Sequence, residues 1–109
     1  MNLDVKLLRE LVKELASGGK VVLATICSTK GSTPQKPGAA MLIREDGNIV
    51  GTIGGGCAEA EVRREALSVM VDSRPRIYRV DLTDEAAEEE GMVCGGIMDV
   101  LLEPLASNH

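Results

Sequence analysis

The stretch GTIGGGCAEAEV, residues 51–62, decides how the fold of this chain is interpreted. It starts at the end of an apolar run, passes through three consecutive glycines and a cysteine, and ends in a helix-like pattern. We predict a helix over residues 58–71, because apolar side chains recur there at helical spacing. Its expected inward face consists of Val62, Ala66, Val69 and Met70. The stretch therefore joins a sheet to a helix through very flexible backbone.

Upstream of this junction the sequence predicts a helix, a strand and a long loop. Apolar residues over Leu3–Leu15 recur at helical spacing, and Gly18-Gly19 is expected to stop this helix. The β-branched run 21–27 indicates a buried strand. Residues 28–40 contain two prolines and two glycines and form a loop long enough to suggest a function.

The remaining elements are a hairpin, two further strands and a short acidic helix. Residues 41–53 indicate a β-hairpin with a two-residue turn at Asp46-Gly47. Strands are predicted at 76–82 and at 97–103, the second ending at Pro104, with the acidic helix at 83–90 between them. This order predicts an α/β or α+β fold with a mixed sheet, flanked by two main helices and the short acidic one.

Composition points to one globular domain over residues 1–109 and excludes several classes of protein. Apolar residues make up 44% of the chain and Tyr78 is its one aromatic residue, so the core must be aliphatic. A net charge of -5 and the lack of aromatic stacking platforms argue against nucleic-acid binding. No signal peptide is apparent and no run approaches the ~20 apolar residues that span a bilayer, so we expect a cytoplasmic protein.

The three cysteines have different surroundings. Cys27 ends an apolar strand and is expected to be a core residue. Cys57 follows the glycine run, and Cys94 stands beside two more glycines. No CxxC spacing occurs and the one histidine is residue 109, so neither a zinc site nor a structural disulfide is expected.

The glycine run, Gly54, Gly55 and Gly56, allows a ligand to approach the main chain at a helix start. It is not a phosphate loop, because Cys57 and Ala58 stand where lysine and a hydroxyl residue are required. The helix start favours a Cys57 thiolate, whereas Glu59 disfavours it or accepts its proton. The alternative is that Cys57 is a small buried residue at a tight junction.

Two other segments carry candidate ligand contacts. Cys94, with Gly95 and Gly96, can line one pocket with Cys57, hold a soft metal or a sulfur atom, or form a reversible disulfide. The structural alternative is a turn in which Cys94 fills space. The loop around Pro34 offers polar groups for an anionic or polar small molecule, unless it is an ordinary solvated loop. These groups are Lys30, Ser32, Thr33, Gln35 and Lys36.

Taken together, these segments resemble the N-terminal domain of the XdhC/CoxI family, the accessory factors of xanthine dehydrogenase and carbon monoxide dehydrogenase. The matching pieces are Gly31-Ser32-Thr33-Pro34, Pro37-Gly38, the run from Gly51 to Glu59 and the run from Gly91 to Gly96. The resemblance implies binding of the molybdenum cofactor (molybdopterin) and its delivery to an apo molybdenum hydroxylase. It implies that Cys57, with its glycine run and Glu59, belongs to the cofactor site, and that Cys57 is a ligand of the molybdenum. Cys94 with Gly95 and Gly96, the Ser32–Pro34 loop, Lys30 and Lys36 are the further contacts.

The resemblance also frames what is expected of partners and chemistry. Full-length relatives carry a second, dinucleotide-type domain, so a separate Rossmann-domain partner chain or self-association into a homodimer is expected. A chaperone without turnover chemistry is the first hypothesis. The alternatives are a sulfurtransferase carrying a persulfide on Cys57 or Cys94, and a redox-sensing module that couples the two thiols.

Overall fold

The computed structural model describes residues 4–83 and 95–107, which form two helices and five strands. The predicted acidic helix at 83–90 lies almost wholly outside these residues. In chain order the elements are α1 (Val5–Ala16), β1 (Lys20–Lys30), β2 (Ala40–Arg44), β3 (Ile49–Gly51), α2 (Gly56–Asp72), β4 (Arg76–Asp81) and β5 (Ile97–Ala106). The predicted α+β class is confirmed.

The five strands form one sheet in the order β3-β2-β1-β5-β4. Every neighbouring pair in it is antiparallel, so the predicted mixed sheet is wrong. The reason lies in the path of α2, which carries the chain from β3 at one edge to β4 at the other. β3 and β4 run in the same direction, as a helical connection suggests, but three strands separate them and they do not pair.

One face of the sheet packs against α2 and contains most of the core. The predicted inward face of α2 is confirmed, since Val62, Ala66 and Val69 are fully buried and Met70 nearly so. Their partners are alternate residues of four strands, as the two-residue period of a strand requires. These partners are Val22, Ala24, Ile26, Met41, Ile43, Val80, Met98, Val100 and Leu102. The core is aliphatic, as the composition predicts.

The opposite face of the sheet is covered by α1 over β1 and β2. Leu7 of α1 packs with Val21 and Leu42 in a smaller cluster. The Arg44 guanidinium in β2 ties down the helix through ion pairs with Glu10 and Glu14. Towards β4 this face has no helix over it among the described residues, and Ile77 is 63% exposed.

The hairpin is confirmed, but its turn has three residues rather than two. The Gly47 N–H donates to the Arg44 carbonyl at 2.9 Å, and the Arg44 N–H donates to the Asn48 carbonyl at 2.9 Å. Residues 45–47 therefore form the loop, with Gly47 at a φ of +87°. This is the three-residue hairpin loop that closes on a left-handed residue, usually glycine.

Strand β5 continues through Pro104 to Ala106, so the predicted end at Pro104 is wrong. Proline has no N–H to donate and is tolerated in a sheet only where one side of the strand is unpaired. β4 pairs with β5 no further than Leu102, whereas β1 pairs with it beyond that point. Pro104 therefore stands where β5 has lost one neighbour.

Cys27 is exposed, which contradicts its predicted place in the core. Ile26 pairs with Val100 and Ser28 pairs with Asp99, so Cys27 is the extra residue of a β-bulge in β1. The residues that the sequence assigned to the following loop, from Ser28 to Lys30, belong to β1.

Candidate functional site

The loop over residues 31–39 packs directly on the glycine run that precedes α2. At Gly54, whose φ is +132°, a methyl group would lie 2.3 Å from Pro34 Cγ. Contacts below 3.0 Å are essentially never seen for a real Cβ, so this approach requires glycine. Pro34 therefore brings the proline-containing loop and the glycine run together, as a shared site requires.

A third glycine-containing segment, Gly95-Gly96, meets the same loop from the sheet side. A methyl group on Gly96 would lie 2.3 Å from the Ser32 carbonyl oxygen and 2.6 Å from Thr33 Cγ2. One on Gly31 would lie 2.7 Å from the Gly95 carbonyl oxygen. All three sequence-predicted segments thus converge at the end of β1. Cys94 lies outside the described residues.

Hydrogen bonds fix the loop at its base and close to its tip. The Ile26 N–H donates to the Ala39 carbonyl, and the Gly38 N–H donates to the Ile26 carbonyl, both at 2.9 Å. Within the loop the Thr33 hydroxyl donates to the Gln35 carbonyl at 2.9 Å. The loop is therefore held in one conformation before any ligand arrives, which reduces the entropy lost on binding.

Glu59 organises the glycine run from the first turn of α2. Its Oε2 accepts hydrogen bonds from the Gly55 N–H at 2.8 Å, the Ile53 N–H at 3.2 Å and the Thr52 hydroxyl. The Thr52 oxygen in turn accepts from the Gly54 N–H at 3.1 Å. Because Gly55 has no side chain to cap the helix, this carboxylate takes over part of the capping role.

Cys57 is the second residue of α2 and is half-buried. A purely packing role predicts a thiol fully buried in the aliphatic core. Cys57 is not buried in this way. Just before it, Gly55 has a φ of +80°, and no described atom lies within 4 Å of where its Cβ would stand. The start of α2 carries a partial positive charge that favours a thiolate.

A cleft of about 550 Å³ opens beside the proline-containing loop. Its lining includes Pro34, Gln35, Lys36 and Pro37 of the loop, Thr52 beside the glycine run, and Asp4 just ahead of α1. One cationic and one anionic residue, with several polar groups, thus line a concave surface. This arrangement suits a small polar molecule, with Lys36 as its cationic contact.

Lys30 is separated from Lys36 by the structure. The Lys30 carbonyl belongs to the cluster around Gly96, but its side chain lines a second, smaller cleft with Arg79 and Asp99. There Arg79, which donates to Asp99 at 3.0 Å, lowers the pKa of that carboxyl, and the Ser28 hydroxyl lowers it further. The two lysines that the sequence grouped together face different parts of the molecule.

The pairing of Thr52 with Glu59 is the feature of this site that the sequence did not reveal. Its signal is the spacing, since a hydroxyl residue ahead of a helix and an acid in the first turn are typical of helix capping. The residues between them, which mostly lack a hydrogen-bonding side chain, hide the pattern. A second missed group is Ser28, Arg79 and Asp99, which neighbouring strands bring together from distant positions.

Neither a membrane-spanning helix nor a cluster of metal-ligating side chains is found among the described residues. None of the helices among the described residues combines the length and hydropathy that crossing a bilayer requires. Within residues 4–83 and 95–107, no group of three or more His, Cys, Asp and Glu side chains is placed to hold a metal ion.

Comparisons with known proteins point in one direction. The model of the XdhC and CoxI family matches residues 14–81. The molybdenum cofactor insertion chaperone PaoD of Escherichia coli (strain K12) is 37% identical over 103 residues, 93% of this chain and 31% of the relative. A protein of Bacillus subtilis (strain 168) that is named as a probable xanthine dehydrogenase component is 36% identical over 86 residues, 77% of this chain and 26% of the relative.

A solved structure agrees in both fold and sequence. The crystal structure of a xanthine dehydrogenase from Bacillus halodurans superimposes with a TM-score of 0.74 at 39% identity. The match covers 87% of this chain and 29% of that one. The chain therefore spans less than a third of the length of each of these three proteins.

Proposed function

The chain belongs to the XdhC and CoxI family, and on this premise we propose that it is an accessory protein that binds the molybdenum cofactor during maturation of a molybdenum hydroxylase. Two findings support the proposal. A relative named as a molybdenum cofactor insertion chaperone aligns with 93% of this chain. Another relative and a solved structure are named as xanthine dehydrogenase proteins.

The observation that carries the proposal is the convergence of three glycine-containing segments, one of which leads directly into Cys57. Gly54 contacts the loop at Pro34, and Gly96 contacts it at Ser32 and Thr33. Such a surface of bare backbone offers little steric hindrance to a bulky, planar guest. A half-buried thiol at a helix start adds one soft donor, which suits a molybdenum dithiolene centre.

The residues therefore fit the cofactor. When bound, the cofactor supplies the molybdenum centre that the hydroxylase needs. On the chain's side, Cys57 acts as a thiolate ligand to the molybdenum, with Cys94 as a further thiol contact. Backbone groups of the glycine run (Gly54, Gly55 and Gly56) and of Gly95-Gly96 surround the guest.

The proline-containing loop and Lys36 take the polar and phosphate end of the guest. Lys36 lines the cleft of about 550 Å³, so its ammonium can neutralise a phosphate there. The further contacts are Pro34, which lies against Gly54 of the glycine run, and Ser32, Thr33 and the Lys30 carbonyl, which lie against Gly96. In this assignment the loop binds and the thiol orients, and no residue is needed as a catalyst.

The proposal includes partners and a location. The bound cofactor is delivered to an apo molybdenum hydroxylase, in the cytoplasm, where the cofactor is sheltered from oxidation. A homodimer, or a complex with a separate Rossmann-domain chain, completes the accessory factor. The net charge of -5 argues for a protein partner rather than nucleic acid.

The decisive experiment compares Cys57→Ser with Cys27→Ser after production in cells that make the cofactor. Cys27 is exposed, lies on a β-bulge of β1 and is not among the residues that contact the glycine run, so it is a control for loss of a thiol. Molybdenum and pterin content are measured per folded protein, together with the melting temperature. We expect wild type and Cys27→Ser to retain cofactor and Cys57→Ser to lose at least tenfold, with an unchanged melting temperature.

Equal retention in Cys57→Ser and wild type would contradict the proposed site. Unfolding of Cys57→Ser would assign the residue a structural role instead. A wild-type protein that never carries molybdenum or pterin would overturn the function itself.

A further inference from the structure

We propose that Glu59 is a positioning residue that holds the glycine run in the shape that presents Cys57, and that it acts through the loop rather than by touching the cofactor. This inference rests on the proposed function. The resemblance places Glu59 among the cofactor contacts, but its hydrogen bonds go to the chain's own turn, at Thr52, Ile53 and Gly55.

One carboxylate oxygen of Glu59 accepts three hydrogen bonds from the chain itself. The donors are the Thr52 hydroxyl, the Ile53 N–H at 3.2 Å and the Gly55 N–H at 2.8 Å. A carboxylate oxygen has about two lone-pair sites, so this oxygen has no acceptor capacity left for a ligand. Oε2 is thus committed to the protein's own loop.

The network reaches three consecutive N–H groups in the turn between β3 and α2. Ile53 and Gly55 donate to Glu59 directly, and Gly54 donates to the Thr52 oxygen at 3.1 Å. Three consecutive N–H groups are therefore directed onto the Thr52–Glu59 pair. An anion that needed these N–H groups would first have to displace Glu59.

The turn needs such support because its backbone has few other constraints. Gly54, Gly55 and Gly56 have φ values of +132°, +80° and +58° and no side chains to pack. Ordering the backbone of a residue costs conformational entropy, and glycine loses the most. Glu59 supplies a fixed point, because it follows the fully buried Ala58 on a helix anchored in the core.

Cys57 lies between the two ends of this brace. Gly55, which bonds to Glu59, precedes it by two residues, and Glu59 follows it by two. Because Cys57 lies in the first turn of α2, the brace holds the helix start that carries its thiol. Loss of the brace loosens this helix start without removing the thiol.

The test compares Glu59→Ala, Glu59→Gln and the control Glu61→Ala. Glu61 lies on the same helix and carries the same charge, but it accepts from the Tyr78 hydroxyl at 2.6 Å and does not contact the turn. Four quantities are measured: amide exchange at residues 53–55, the peptide-resolved rate of Cys57 alkylation by iodoacetamide, cofactor retention and melting temperature.

In Glu59→Ala we expect amide exchange at residues 53–55 to rise at least tenfold, Cys57 alkylation to rise at least threefold and retention to fall at least tenfold. Glu59→Gln keeps an acceptor oxygen, so it should restore much of the protection. Glu61→Ala should leave exchange at residues 53–55 and Cys57 alkylation as they are in wild type.

Three outcomes would overturn the inference. Loss of cofactor in Glu59→Ala with unchanged exchange would mean that Glu59 contacts the cofactor directly. Exchange that rises uniformly over α2 and the sheet would mean a global loss of stability. Unchanged exchange and alkylation would mean that the brace has no effect.

The exchange and alkylation measurements need no cofactor. If the wild type retains none while Glu59→Ala still loosens the turn, the proposed function fails and the positioning role stands.

Discussion

The core beneath α2 and the glycine-rich end of the sheet are built on opposite principles. Beneath α2, aliphatic side chains from four strands interlock, and the backbone is regular. At the glycine-rich end, Gly54 and Gly96 bring segments of the chain so close that no side chain fits between them. The core thus derives its stability from side-chain volume, and the site derives its shape from the absence of side chains.

This difference teaches which mutations each region tolerates. A core of packed aliphatics is sensitive to loss of volume, whereas a surface of bare backbone is sensitive to gain of volume. Truncation should therefore damage the first region and enlargement the second.

The largest expected effect comes from truncation in the core. Leu102→Ala should lower the free energy of unfolding by about 2–5 kcal/mol, because Leu102 is fully buried against α2. Urea denaturation measures this. Ile77→Ala is the control, since Ile77 is 63% exposed and its change should stay within about 0.5 kcal/mol. Equal effects would mean that α2 does not close the core.

Enlargement at the site should follow closely. Gly96→Ala places a methyl group against the Ser32 and Lys30 carbonyl oxygens, and we expect a loss near the upper end of about 1–3 kcal/mol. Gly95→Ala is the control, since no described atom lies within 4 Å of its Cβ and only its φ of +74° is strained. Amide exchange should rise in the 31–39 loop for Gly96→Ala only. A rise in both variants would show that strain, not crowding, controls the loop.

A smaller effect should appear as coupling between Gly54 and Pro34. Gly54→Ala clashes with the Pro34 ring, and Pro34→Ala removes the nearest ring atom, Cγ. In a double-mutant cycle, the double variant should be more stable than the sum of the single changes by about 1 kcal/mol. Strict additivity would mean that the two segments do not touch in solution.

The smallest expected effect is a pH dependence of the free energy of unfolding, and it comes from Tyr78, which packs against the core. The Tyr78 hydroxyl donates to Glu61 at 2.6 Å, and this bond, with burial, raises the pKa of Tyr78 from 10.0 to about 12. The folded state therefore holds the proton more tightly than the unfolded state. This contribution is fully present below pH 10 and is lost as pH rises towards 12. The free energies of unfolding of wild type and Tyr78→Phe, plotted against pH, should converge over that range. A constant difference between them would contradict the role given to the Tyr78–Glu61 bond.

Much of the core could be predicted from sequence, because a buried face repeats with the period of its element. The spacing of Val62, Ala66 and Val69 was sufficient to predict the inner face of α2. Cys27 could not be predicted this way. Cys27 is the extra residue of a β-bulge, and a bulge interrupts the alternation of buried and exposed residues along β1. The sequence of one strand does not show where such a bulge occurs.

The site was predictable in its parts but not in its hydrogen bonds. The glycines beside Cys57 and Cys94 could be recognised in the sequence as a candidate site, because only glycine lets another part of the chain or a ligand come so close to the backbone. The role of Glu59 depends on where its side chain points, and the sequence alone does not show this direction. The fully antiparallel sheet could not be predicted either. A helix between two strands does not show how many other strands lie between them in the sheet.

The pairing of β1 with β5 has a consequence for synthesis on the ribosome. Paired residues in these two central strands are more than sixty positions apart, so one strand is made long before the other. Until residue 106 has left the exit tunnel, β1 presents an unpaired edge, and such edges promote association between nascent chains. Stable folding of this domain is therefore expected only after its final strand has been translated.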